Sequence, residues 1–207
     1  MGACCGEGTK FDGLSAAYKR RLWAVIAING AMFGVEMTAG HLAGSKALQA
    51  DALDFLGDTL TYGLSLAVIG ASLRVRANAA LFKGATLAVL GLWVFAGALY
   101  NAFVLGQPQA GVMGAVGVAA LLANATSVLL LLRYKDGDAN VRSVWLCSRN
   151  DLIGNLAVIA AAFGVWGSAS AWPDLIVAAL MAGLFLTSAV KILRQAWGER
   201  REAAAAL

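Results

Sequence analysis

Four residues of this chain have the types and the spacing of a metal site. Asp54 and Asp58 lie in the stretch DALDFLGD, and Cys147 and Asp151 in CSRND. Each pair is an i, i+4 pair, so on a helix its two side chains stack one turn apart on a single face. Both pairs are set among long apolar runs. A carboxylate at bilayer depth costs about 2.5–3.5 kcal/mol or more, and its default reading is an ion pathway or ion site. Three carboxylates and a thiol form an anionic cage that suits a divalent cation. Without the cation the charges repel, and one or more of the groups should hold a proton. Four side-chain ligands fit tetrahedral Zn²⁺. A thiolate shifts preference away from Mg²⁺, Ca²⁺ and Mn²⁺ and towards Zn²⁺ and Cd²⁺. Metal binding displaces protons from such ligands. A cage alternately open to the two sides of a membrane would therefore exchange metal for protons.

The elements that must position this cage are membrane helices. The chain has 207 residues, of which 60% are hydrophobic and 14% charged, with a mean hydropathy of +0.72. A soluble domain is nearer half apolar and a quarter charged. Six apolar spans are expected, at about 22–40, 47–72, 81–105, 111–133, 143–167 and 174–193. Spanning a core of about 30 Å takes roughly 20 helical residues. The polar start MGACCGEGTKFDGLSAAYKRR lacks the apolar segment of a cleavable signal. The expected organisation is a cytoplasmic tail over 1–21, a six-helix transmembrane domain over 22–193 and a short cytoplasmic tail over 194–207.

Charge sets the expected orientation. Fourteen of the sixteen Lys and Arg fall in the two tails, in the links after spans two and four, or at the span ends beside them (Lys83, Arg133 and Lys191), and the opposite links hold only Lys46. Arg149 lies within span five. That asymmetry predicts both termini in the cytoplasm. The net charge of +4 thus reports topology and does not imply a nucleic-acid partner. Spans two and five then run antiparallel. At 1.5 Å per residue Asp58 lies roughly 16 Å into span two, and Asp151 roughly 12 Å into span five from the other side. The two pairs should meet near the midplane, with Asp54 and Cys147 flanking the meeting point.

Other polar residues admit more than one role. Glu36 and Asp51 lie nearer the outer end, as caps, snorkelling residues or parts of an entry path, and Asp51 could also support the cage. Arg149 is two residues from both Cys147 and Asp151, so it should point off the site face. It would pair with a carboxylate or reach the cytoplasmic surface. His41, the only His, reads as an interfacial residue. Three Cys give no disulfide framework, and adjacent Cys4 and Cys5 read as a reduced pair in a tail or as a soft-metal docking point. No phosphate-binding G-x-x-x-x-G-K-[ST] loop is present, which argues against direct drive by ATP.

The stretch GVEMTAGHLAGSKALQADALDFLGDTLTYGLSLAV resembles the first two helices of the cation diffusion facilitator family, with Glu36, Ser45 and Ala50-Asp51-Ala52 preceding Asp54-x-x-x-Asp58. Asn124 and the run NVR at 140–142 also match that family's pattern. The resemblance implies six transmembrane helices, cytoplasmic termini and proton-driven efflux of divalent transition metals, with Zn²⁺ and Cd²⁺ as cargo. It also implies a location in a bacterial cytoplasmic membrane. In the family the fifth helix supplies His-x-x-x-Asp, and Cys147 stands here where that His is expected, which favours Cd²⁺ beside Zn²⁺. Most members carry a further cytoplasmic domain that helps hold a dimer; this chain resembles the minority without it, so a homodimer would meet through membrane helices. Rival readings fit less well. The D-x-x-D-G-x-x-A-R pattern of metal-dependent lipid phosphotransferases fails at Phe55, and the G-x-G-D of intramembrane aspartyl proteases is absent. A transporter is expected, with a metal-dependent membrane enzyme as the alternative.

Overall fold

A computed structural model describes residues 15–67, 73–104, 106–135 and 139–205. Cys4 and Cys5 lie outside these residues. The side chains of Arg74, Arg76, Cys147 and Arg149, and those of the 140–142 run, lie outside the described ones. The architecture is six helices with no strand among the described residues: α1 (Ala16–Ala43), α2 (Lys46–Ala67), α3 (Leu73–Val104), α4 (Ala110–Leu131), α5 (Ala139–Ser168) and α6 (Trp172–Ala205). A short 3₁₀ turn, Leu132–Tyr134, follows α4. Helix extends past the expected spans at both ends, since α1 starts at Ala16 and α6 continues to Ala205.

Local chemistry explains the hairpin that carries the acidic stretch. Gly44 ends α1 in the left-handed region at φ 69°, where a side chain would be strained. The next N–H, that of Ser45, donates to Gly40 O at 2.9 Å. Ser45 then starts α2, its Oγ accepting from the Leu48 N–H at 3.1 Å. Gly40 permits the tight turn: a Cβ there would come within 3.0 Å of the Gln49 nitrogen and of Leu48 Cβ.

Packing divides the helices into a group of four, α1, α2, α4 and α5, and a closely paired α3 and α6. The α3–α6 pair is intimate because small residues face it. A Cβ on Gly84 would lie 2.9 Å from Leu193. Helix α2 touches both units and is the central one. Its residues 47–53 are all buried, whichever way they point. Around it lies an apolar core that includes Leu48, Leu53, Val94, Met113, Val158 and Met181.

Among the described residues, five helices contain stretches long and apolar enough to cross a membrane by themselves: Ala16–Ala43, Ala77–Val104, Ala110–Tyr134, Asp151–Ser168 and Trp172–Gly198. The sixth, α2, carries Lys46, Asp51, Asp54 and Asp58 and packs against α1, α3, α5 and α6. Large apolar side chains cover the outside, among them Phe103 at 79% and Trp166 at 78% exposure. A soluble monomer does not present such a surface around its whole girth; a bilayer accepts it. The fold is an all-α membrane bundle, as expected.

Candidate metal site

Helices α2 and α5 bring Asp58 and Asp151 together. Their carboxyl groups lie within hydrogen-bonding reach of each other, an arrangement that requires one proton or one cation between them. Asp54, one turn earlier on α2, is close enough to both to feel their charge. Asp54 and Asp151 also line a cleft of about 610 Å³. Its other walls come from α5 and α6, including Gly154, Met181, Phe185 and Ser188. Asp54 and Asp151, both partly buried, thus border a space that a cation could enter. Among the described residues, no three His, Cys, Asp or Glu side chains surround one point as a metal cage would. The fourth expected ligand, Cys147, belongs to α5 and falls outside the described side chains.

Three further side chains hold this pair, none of them anticipated from the sequence. Tyr62 OH donates to Asp58 Oδ2, and it lies 3.4 Å from Ser148 Oγ of α5, a contact in which either hydroxyl is the donor. Tyr62 and Ser148 are both fully buried. Tyr62 follows Asp58 by one turn, so its spacing could have revealed it. Lys83 of α3, read from sequence only as a charge at the edge of a cytoplasmic link, donates to Thr61 Oγ1 and acts electrostatically on Asp58.

The N-terminal end of α2 is anchored by a residue that nothing in its neighbourhood marks out. Asp174, in the first turn of α6, is 1% exposed. It accepts from Ser45 Oγ at 2.6 Å and from the N–H groups of Lys46 and Ala47 at 2.8 and 3.1 Å. A carboxylate here satisfies orphan donors and complements the positive end of α2. Lys46 in turn donates to Gln49 Oε1 at 3.0 Å and lies 5.6 Å from the centre of the Trp93 ring. These contacts fix where α2 begins and therefore the depth at which Asp54 and Asp58 sit.

Glu36 and Asp51 neither cap a helix nor snorkel. They are 0% and 1% exposed. Glu36 reaches from α1 to within hydrogen-bonding reach of Asp51 on α2. Asp51 in turn neighbours Asp54. Glu36, Asp51, Asp54, Asp58 and Asp151 therefore form a ladder of carboxyl groups across three helices. Its wall on the α5 side is Gly154, where a Cβ would lie 3.5 Å from Asp51 Oδ1 and 3.6 Å from Asp54 Oδ2. Asn29, Asn124 and Asn155 are also buried and carry side-chain atoms without partners among the described residues.

Residues 22–198 match the family model described as the cation efflux transmembrane domain. The chain is 31% identical over 201 residues to the zinc transporter ZitB of Escherichia coli (strain K12), an alignment covering 89% of this chain and 63% of the relative. It is 28% identical over 191 residues to the metal cation efflux system protein CzcD of Cupriavidus metallidurans, covering 84% of this chain and 59% of that relative. The chain thus spans roughly three fifths of the length of the curated relatives it matches.

Proposed function

The chain belongs to the cation efflux, or cation diffusion facilitator, family, and on that premise we propose that it carries divalent transition-metal ions out of the cytoplasm in exchange for protons. Zn²⁺ is the first cargo, in keeping with the name of the zinc transporter it resembles, and Cd²⁺ the second, because a thiol at Cys147 would soften the ligand set. The bundle lies in a bacterial cytoplasmic membrane with both termini on the cytoplasmic side, in keeping with its basic links.

The observation that carries this reading is the meeting of Asp58 and Asp151 across α2 and α5 beside a cleft that Asp54 shares. Two apposed carboxyl groups need a positive charge between them. A metal ion supplies it in one state and a proton in the other, so loading one unloads the other. Asp54, Asp58 and Asp151 would donate oxygens and Cys147 sulfur, a four-ligand set of the kind Zn²⁺ accepts. Tyr62 keeps one Asp58 oxygen engaged and so orients the other towards α5. Lys83, at the cytoplasmic side, balances charge while the carboxylates await the ion. Rocking of the α3–α6 pair against the four-helix group would expose the cleft alternately to the two sides, with α2 as the shared element.

The test is flux in vesicles containing the purified chain and a pH-sensitive dye. Added Zn²⁺ or Cd²⁺ should enter while protons move the other way, and Asp58→Asn or Asp151→Asn should abolish both movements. Unimpaired flux in both variants would falsify the site; metal uptake without proton movement would remove the exchange mechanism and leave a uniporter.

A further inference from the structure

The carboxyl ladder ends in two junctions of the same construction. At the inner junction a carboxyl of α2, Asp58, faces one from α5, Asp151. At the outer junction a carboxyl of α2, Asp51, faces one from α1, Glu36. Asp51 and Asp58 are seven residues apart on one helix, so the junctions are separated by about 10 Å along the membrane normal. We propose that Glu36 and Asp51 form a second divalent-cation station, outward of the Asp54–Asp58–Asp151 site, through which the ion passes before release.

Three observations carry the assignment. Glu36 and Asp51 are buried from solvent and lipid alike, and none of their four oxygens meets a donor among the described residues. Buried acceptors normally have partners, and leaving them bare costs more than almost any other polar defect. A residue needed only for packing would not be an acid. Secondly, Glu36 comes from a different helix and points at Asp51, so the junction is made by tertiary structure and not by crowding along α2. Thirdly, α5 leaves space there: the absent Cβ of Gly154 would stand in ordinary contact with both Asp51 and Asp54. Gly154 therefore borders both Asp51 and the cleft that Asp54 lines.

The chemistry differs from that of the inner site. Glu36 and Asp51 supply oxygen only, up to four atoms if both carboxylates are bidentate. Oxygen donors hold Zn²⁺ and Cd²⁺ less selectively than a set containing thiolate, and suit harder ions better. The outer station would thus bind the exported ion more weakly than the inner one, which favours onward release. This inference rests on the transport reading above, since a station outward of the metal site has meaning only if an ion passes through it.

Ion counting tests it. The full chain, purified in detergent, is dialysed to saturation against Zn²⁺ and separately against Cd²⁺, and metal per chain is measured. Two ions per chain are expected, falling to one in Glu36→Gln and in Asp51→Asn, and also to one in the Asp58→Asn, Asp151→Asn double variant. Retention of both ions in Glu36→Gln and Asp51→Asn overturns the proposal. So does a parent that saturates at one ion, a result that needs no variant to fold. Unchanged metal counts in Glu36→Gln, with fewer protons released on metal binding, would make the pair a proton site and also overturn it. Loss of one ion in Glu36→Gln with none lost in the double variant would sustain the station and remove the inner assignment, so the two failures are separable. Glu36→Asp keeps the charge on a shorter stem. It should retain the second ion with about tenfold weaker affinity.

Discussion

At the scale of single residues the decisive fact is that Asp58 is held from several directions. Tyr62, Asp151 and the Lys83 charge all act on one carboxyl group. Removing the phenol oxygen in Tyr62→Phe should leave the chain folded but weaken Zn²⁺ binding several-fold, about 1 kcal/mol, because a hydrogen bond to a charged group is worth about 1.5–3 kcal/mol and Ser148 recovers part of it. Calorimetric titration of the two proteins decides this, and identical affinities would show that Tyr62 does not orient the ligand. In the proposed site Cys147 would govern the choice of metal. Cys147→His should lower the Cd²⁺/Zn²⁺ flux ratio, since imidazole is a harder ligand than thiolate. An unchanged ratio means the thiol is not a ligand.

At the scale of elements, α2 does what its composition argues against. It is the most acidic helix and also the central one, so its stability depends on its neighbours more than on lipid. The clasp from Asp174 is the clearest instance. Asp174→Ala would leave two N–H groups and one hydroxyl without an acceptor, a loss of about 1–3 kcal/mol for the first unsatisfied donor alone. The melting temperature in detergent should fall, and metal affinity should fall with it as α2 loses its register. Asp174→Asn should recover part of both because the amide oxygen still accepts. A melting curve unchanged in Asp174→Ala would show that the clasp does not stabilise α2. The α5 wall makes a second prediction at this scale. Gly154→Leu should fill the gap over Asp51 and Asp54 and abolish transport, whereas Gly154→Ala, whose Cβ meets only ordinary contacts at 3.5–3.6 Å, should retain part of it. Full activity in Gly154→Leu would mean that the ion does not pass there.

At the scale of the whole molecule, six crossings would return the chain to the side on which it started, and the clustered basic residues predict that this side is the cytoplasmic one. The start of α1 is fastened to the end of α4. Arg21 donates to Leu130 O at 3.1 Å and lies 5.6 Å from the centre of the Tyr134 ring, which Tyr18 meets edge-on at 5.0 Å. An impermeant thiol reagent should therefore reach Cys4 and Cys5 only from the cytoplasmic face, and a protease site appended after Leu207 should be cut from that same face. Reaction of the two ends from opposite faces would contradict the topology.

Membrane residence, the helical class and the two i, i+4 pairs were legible in the chain because hydropathy and residue spacing are local properties. They follow from composition within a turn or a span. The helix least apolar as a span is α2, since the acids it carries lower its apolarity. That Asp58 meets Asp151 was within reach of an argument from depth and antiparallel order. The partners from other helices were not. Asp174 lies 129 residues from Ser45, and Glu36 reaches Asp51 only after Gly40 and Gly44 fold α1 back on α2. Such contacts depend on helix rotation and crossing, which are set by how small residues let neighbouring backbones approach. No local pattern encodes them. Sequence spacing showed which acids share a face; only the packed bundle decided which acids face each other.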